Sequence, residues 1–214
     1  MSRSRLTFGR CFVLIAAASL CLNAGCSSKP RRVSQVAIDF EKVASEMMAA
    51  DVDQDGLVSK AEAKPFPGFA KGFAAIDSDK DGRVSAEEIQ ARLPGIFTRT
   101  SALLPGVCSV TLNGKPLDGA MVTFEPEAFF GGKIPTATAK VNSDGFGSLA
   151  IAEEDLPPGA PNVSGLVRPG LYRVKVTHPE RELPAKYNTE TVLGVEVSPE
   201  TTRGGGAFKF KLKS

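Results

Sequence analysis

Asp51, Asp53, Asp55 and Glu62 stand at positions one, three, five and twelve of a twelve-residue stretch. Asp77, Asp79, Asp81 and Glu88 repeat that spacing 26 residues further on. Alternate side chains in a tight loop turn inward, so each stretch offers three carboxylates to one centre. Gly56 and Gly82 allow the bend that a side chain would oppose. The next oxygen is a backbone carbonyl, of Leu57 in one stretch and Arg83 in the other, so those side chains need not be polar. Ser59 and Ser85 sit where a ligand acts through water, and Glu62 and Glu88 close the cage with both carboxylate oxygens. Only hard oxygen donors converge in such a loop, which suits a hard cation taking six to eight of them. Calcium fits that description better than magnesium, which prefers fewer protein ligands and more water. Two calcium ions are therefore expected.

Both stretches fit D-x-[DN]-x-[DN]-G-x5-E at every fixed position. They resemble the paired loops of bacterial EF-hand proteins. Dockerin modules also carry two calcium loops, but the final Glu of both stretches and the helical pattern before Asp51 favour EF-hands. Fourteen residues, Ala63 to Ile76, separate the loops. That is fewer than in eukaryotic sensors, and it implies short helices without a large opening. Val58 and Val84 follow the two carbonyl positions, where a β-branched residue suits a short antiparallel contact between loops.

The loops need helices to hold them, and residues 33–97 read as helical. Val36, Phe40, Val43 and Met47 recur at helical spacing, as do Phe66, Phe69, Phe73 and Ile76; Ile89 and Leu93 begin a third set. Pro65 and Pro67 interrupt the middle, with a new helix starting near Pro67, and Pro94-Gly95 is expected to end the regular helix. Residues 98–104 read as a linker. Beyond it the period becomes two. Cys108, Val110 and Leu112 alternate with polar residues, as do Ala120, Val122 and Phe124, then Tyr172, Val174 and Val176, then Phe208, Phe210 and Leu212. Asn113-Gly114, Asp118-Gly119, Asp144-Gly145 and Pro169-Gly170 supply turns, 152–168 reads as a long loop, and 201–206 as a turn. The fold class is α + β in two domains: a helical pair over 33–97, then an antiparallel β-sandwich over 105–214.

Gly114 to Leu117 with Gly119-Ala120, the Asp144-Gly145 turn, and Pro169-Gly-Leu-Tyr-Arg-Val-Lys-Val176 resemble carboxypeptidase regulatory-like domains, also called transthyretin-like. Leu183 to Asn188 and Val195-Glu-Val197 resemble the end of such modules in exported bacterial lipoproteins. The resemblance covers about half the chain and implies a non-catalytic appendage.

Other candidate chemistry is sparse. There is one histidine, His178, against the two or three of a usual catalytic zinc site. Cys108 reads as a small core residue, His178 as a loop residue, and Asn142 with Asp144 as a turn. Glu125 and Glu127 read as a solvated turn, not a glycosidase pair. Arg173, Lys175, Lys209, Lys211 and Lys213 read as a solvated or edge-protecting face. A formal charge of +2 gives no field for nucleic acid. The chain is not expected to be an enzyme.

Arg3, Arg5 and Arg10, the short apolar run Cys11 to Leu22, and the small residues before Cys26 read as an export signal over 1–25. Leu22-Asn-Ala-Gly-Cys26 resembles the lipobox of bacterial lipoproteins, with Asn23 where that family favours an aliphatic residue. The resemblance implies lipidation of Cys26, a tether over 26–32 and a place on the cell-envelope membrane. Loss of three arginines from 26 basic residues against 24 acidic ones leaves a net charge of −1. Cys108 is then the one cysteine left besides the lipidated Cys26, so no disulfide framework is expected in the mature chain. The expectation is an exported, calcium-binding, lipid-anchored protein with an envelope polysaccharide or protein as a further partner. The alternative is an adhesion or carbohydrate-binding protein that binds through the sandwich and uses calcium as stabiliser; an exposed aromatic patch would mark it.

Overall fold

In the computed structural model, helix α1 (Phe40–Met48) starts at Asp39, whose carboxylate accepts the Lys42 N–H at 3.1 Å. The apolar spacing from Val36 thus overshoots by one turn, because an N-cap side chain outcompetes it. The structure describes residues 33–97 and 102–214. The export signal, Cys26, the tether and positions 98–101 of the linker lie outside the described residues.

Helix α1 leads into the first acidic loop, which ends in β1 (Val58–Ser59) and the single turn α2 (Lys60–Ala63). Helix α3 (Pro67–Ile76) has proline in its first turn, where a missing N–H costs nothing, and runs into the second loop. That loop ends in β2 (Arg83–Val84) and α4 (Ala86–Phe97). The expected stop at Pro94 does not occur: α4 passes through it. A proline inside a helix costs about 3 kcal/mol. Ile96 and Phe97 lie beyond it and are both buried, and Phe97 stacks on Phe40 and meets Phe130 edge-on. Burying two large side chains at about 1.5–3 kcal/mol each outweighs the break.

The β half contributes β3 (Leu104–Pro105), β4 (Val107–Leu112), β5 (Lys115–Pro116), β6 (Met121–Pro126), β7 (Ala137–Lys140), β8 (Phe146–Ser148), β9 (Ala150–Ile151), β10 (Leu166–Val167), β11 (Gly170–Thr177), β12 (Gly194–Val197) and β13 (Phe208–Leu212). One sheet has the order β12-β11-β6-β7-β9, all antiparallel. The other has the order β13-β4-β5, with β8 also on β4. Phe124 of the first sheet packs edge-on against Phe208 and Phe210 of the second, so the inner faces meet in a shared core. The pairing of β13 with β4 is parallel, a departure from the all-antiparallel expectation. The long excursion between the two strands permits it, since a parallel pair needs a crossover and not a hairpin. Two quieter stretches also hold structure. Leu166–Val167 pairs with β3 inside the expected loop, and Pro199–Thr202 forms the turn α5, capped by Ser198.

The helical half does not stand apart from the β half. Helix α3 lies across β11 and β12 on the outer face of the five-stranded sheet, in one compact unit with it. Glycines permit the approach. A β-carbon on Gly194 would sit 1.8 Å from the Pro67 carbonyl oxygen, and one on Gly68 would sit 2.6 Å from the Tyr172 nitrogen. The α3 N-terminus, uncapped by its own residues, is met by Glu127, whose carboxylate accepts the Gly68 N–H at 2.7 Å. Glu127 is 1% exposed and also bonds Arg173 at 3.1 Å, so the expectation of a solvated turn is wrong. A helix N-terminus favours a carboxylate, and a buried one needs such partners. Burial pushes its pKa up, while the Gly68 N–H and Arg173 oppose the rise. A second buried link joins Arg92 of α4 to Glu196 of β12, with Glu200 beside it.

Candidate metal centre

Each loop folds on its own carboxylates. In the first, Asp51 Oδ2 accepts the Gly56 N–H at 2.9 Å, Asp53 Oδ1 the Asp55 N–H at 3.2 Å, and Asp55 Oδ1 the Leu57 N–H at 2.9 Å. In the second, Asp77 Oδ2 accepts from Gly82 at 3.2 Å, Asp79 Oδ1 from Asp81 at 3.0 Å, and Asp81 Oδ1 from Arg83 at 2.7 Å. One oxygen of each aspartate carboxylate thus shapes its loop; the other is left to a ligand except at Asp55, whose Oδ2 pairs with Arg83. Gln54 and Gly56, and likewise Lys80 and Gly82, turn through positive φ. Glycine is needed where φ is +85° or +88°, and in the left-handed region other residues are tolerated only singly.

Asp51, Asp53 and Asp55 bring one oxygen each within 4.8 Å of one another, and so do Asp77, Asp79 and Asp81. Glu62 and Glu88 stay outside these clusters and hold their loops shut. Glu62 Oε1 accepts the Val52 N–H at 2.8 Å, and Glu88 Oε1 the Ser78 N–H at 2.8 Å. Their other oxygens accept from the Ser59 and Ser85 N–H groups, and the serine hydroxyl oxygens accept in turn from the Glu62 and Glu88 N–H groups, which makes a helix-capping box in each loop. Sequence reasoning saw these serines as water-bridging ligands and missed the cap, although the S-x-x-E spacing carries it. The Ser59 N–H and hydroxyl, and for Glu88 chiefly the Ser85 N–H, hold both acids down to about 2. Both are ionised near neutral pH, so a cation need displace no proton there.

The loops pair back to back. Val58 faces Val84 in the two-residue ladder of β1 and β2, and both side chains are fully buried. The carbonyls of Leu57 and Arg83 precede these valines in mirrored positions.

Two buried oxygens test the fit to a cation. Asp51 Oδ1 and Asp77 Oδ1, at the first position of each loop, have no hydrogen-bond partner. A buried carboxylate oxygen without a donor is costly, and a bound cation would satisfy it. The three aspartates of each loop, with the Leu57 or Arg83 carbonyl next along the chain, offer only oxygen donors, which suits calcium.

Several of the other candidates are buried or engage protein partners. Cys108 is fully buried and its thiol is pushed up to about 11 by burial. His178 Nδ1 accepts the Glu180 N–H at 3.1 Å, which leaves Nε2–H to donate to the Asp118 carbonyl at 2.8 Å. Asn142 Oδ1 accepts from Asp144 and Phe146 and builds the turn. Arg173 and Lys175 are balanced by Glu127 and Glu125 across β6. They line an open groove of about 420 Å³ with Lys64, Thr189, Thr191 and Val192. Of the exposed large hydrophobic side chains among the described residues, one, Phe146, is aromatic, so they form no aromatic patch. No helix among the described residues is long and apolar enough to cross a membrane.

Against known proteins, a family model described as EF hand matches residues 69–93, which cover α3 from Phe69, the second loop and α4 as far as Leu93. No curated protein and no solved structure matches the chain. The matched segment and the two acidic clusters together support an EF-hand, metal-binding reading of this half, with calcium as the metal.

Proposed function

We propose that this is an exported, non-catalytic lipoprotein of the cell envelope that binds two calcium ions, one per loop, and uses them to hold its helical half against a transthyretin-like sandwich. The observation that carries the calcium reading is the pair of buried, partnerless oxygens, Asp51 Oδ1 and Asp77 Oδ1, each inside its acidic cluster. The ligands are Asp51, Asp53, Asp55, the Leu57 carbonyl, Ser59 through water and Glu62 in one loop. In the other they are Asp77, Asp79, Asp81, the Arg83 carbonyl, Ser85 through water and Glu88. The bound ion neutralises the mutual repulsion of the carboxylates around it. A structural role is favoured by the buried joint between α3 and the sheet, which leaves little room for a sensor-type opening.

Titrating the chain from Ser27 to Ser214, which contains the whole compact unit, should give two calcium ions per chain, retained against a tenfold excess of magnesium. Absence of binding at millimolar calcium would overturn the reading.

The envelope placement rests on the export pattern before Cys26. Cys26→Ser is expected to move the full chain from the membrane pellet to the soluble fraction, since the lipid supplies the anchor. A variant still in the pellet after a high-salt wash would argue against lipidation there.

A further inference from the structure

The two loops carry the same acids, glycine and serine, and one of the side chains in which they differ reaches from one loop to the other. Position seven is Leu57 in the first loop and Arg83 in the second. The ladder pairs Val58 with Val84 and Ser59 with Arg83, which brings the Arg83 side chain at position seven of the second loop to Asp55 at position five of the first. Leu57 has nothing to donate. Arg83 bonds Asp55 Oδ2 through Nη1. Asp55 Oδ1 already accepts the Leu57 N–H. Both oxygens of this first-loop ligand are therefore engaged by the protein. Asp81, its counterpart, uses Oδ1 on the Arg83 N–H and makes no ion pair among the described residues.

We propose that Arg83 sets the calcium affinity of the first loop by competing, through its guanidinium, for the oxygen of Asp55 that an ion would use. The proposal rests on the reading of both loops as calcium sites. It makes the second loop the tighter of the two and the first to fill, and it makes loading of the first loop a displacement. Arg83 serves both sites in different ways, lending its carbonyl to one loop and its side chain to the other. Its charge also lies near Asp53 and Asp81. Neutralising it therefore strengthens both loops somewhat, but only the first loses a bonded competitor.

Arg83 is about half exposed, so Arg83→Gln should fold normally. Exposed ion pairs are modest and salt-sensitive, which sets the scale of the effect. The test is calorimetric calcium titration of the Ser27–Ser214 chain in two single-site backgrounds. With the second loop disabled by Glu88→Gln, Arg83→Gln should tighten calcium binding about two- to fivefold at low salt, and less at 0.5 M salt. With the first loop disabled by Glu62→Gln, the same change should tighten it by less than half that factor. Leu57→Arg should weaken the second loop by a comparable factor through Asp81. Equal gains in both backgrounds, or no gain in the first loop, would overturn the role of Arg83 while leaving the two sites standing. Failure of the parent chain and every variant to take calcium would instead overturn the reading of the loops, and this proposal with it.

Discussion

Disabling both calcium loops with Glu62→Gln and Glu88→Gln, or removing calcium by chelation, is expected to destabilise the β-sandwich as well as the helices, in one transition. Helix α3 is the reason. It follows the exit turn of the first loop directly and enters the second at Asp77, so both cages fix its ends. Its body lies on β11 and β12, its first turn bonds Glu127, and Arg92 of the neighbouring α4 bonds Glu196. Once the ions leave, the carboxylates of each cluster repel, α3 loosens, and Glu127 and Glu196 lose partners they need while buried. An ion held at ten times its dissociation constant adds about 1.4 kcal/mol per site, about 3 kcal/mol for two. For a domain of this size that corresponds to a fall in Tm of about 6–12 °C. Differential scanning calorimetry with hydrogen exchange at β12 checks it. Two separated transitions, with β12 protection unchanged, would show that the halves are not coupled.

Gly194→Ala should be the most damaging glycine-to-alanine change among the described residues. The added carbon would fall 1.8 Å from the Pro67 oxygen and 2.1 Å from its carbonyl carbon. Both are backbone atoms of the α3 first turn, so no rotamer change relieves the overlap and the helix must lift from the sheet. Overpacking commonly costs about 1–3 kcal/mol, and an overlap with backbone belongs at or above the top of that range. Thermal unfolding should therefore drop by at least about 6 °C, at 2–4 °C per kcal/mol. Gly95→Ala is the control: its β-carbon would meet only the Arg92 guanidinium, at 3.6 Å, and alanine favours helix. If Gly194→Ala melted with the parent chain, the close seat of α3 on β12 would be wrong.

The same joint marks the limit of what the sequence discloses. The two acidic clusters were legible because each is local: the aspartates, a glycine, a serine and a closing glutamate stand at fixed spacing within twelve residues. The principal strands were legible for a similar reason, since alternation at Cys108–Val110 or Val174–Val176 records which face is buried. The docking was not legible. Gly68 looks like an ordinary glycine at a helix start, and Gly194 like one before a strand, until the two remote elements meet, and Glu127 looks like a surface acid until α3 begins on it. Pro94 misled because its local cost is written in the sequence, whereas the burial of Ile96 and Phe97 that overrides it is not. The parallel partner of β13 was hidden for the same reason: alternation gives a strand its faces, not its neighbour.

The most direct test is a calorimetric calcium titration of the Ser27–Ser214 chain beside its Glu62→Gln and Glu88→Gln variants. Two ions for the parent chain and one for each variant, with the double variant inert, is the predicted result. Unchanged stoichiometry in the variants, or no calcium uptake by the parent chain at millimolar concentration, would contradict the assignment of the two acidic loops as the metal sites.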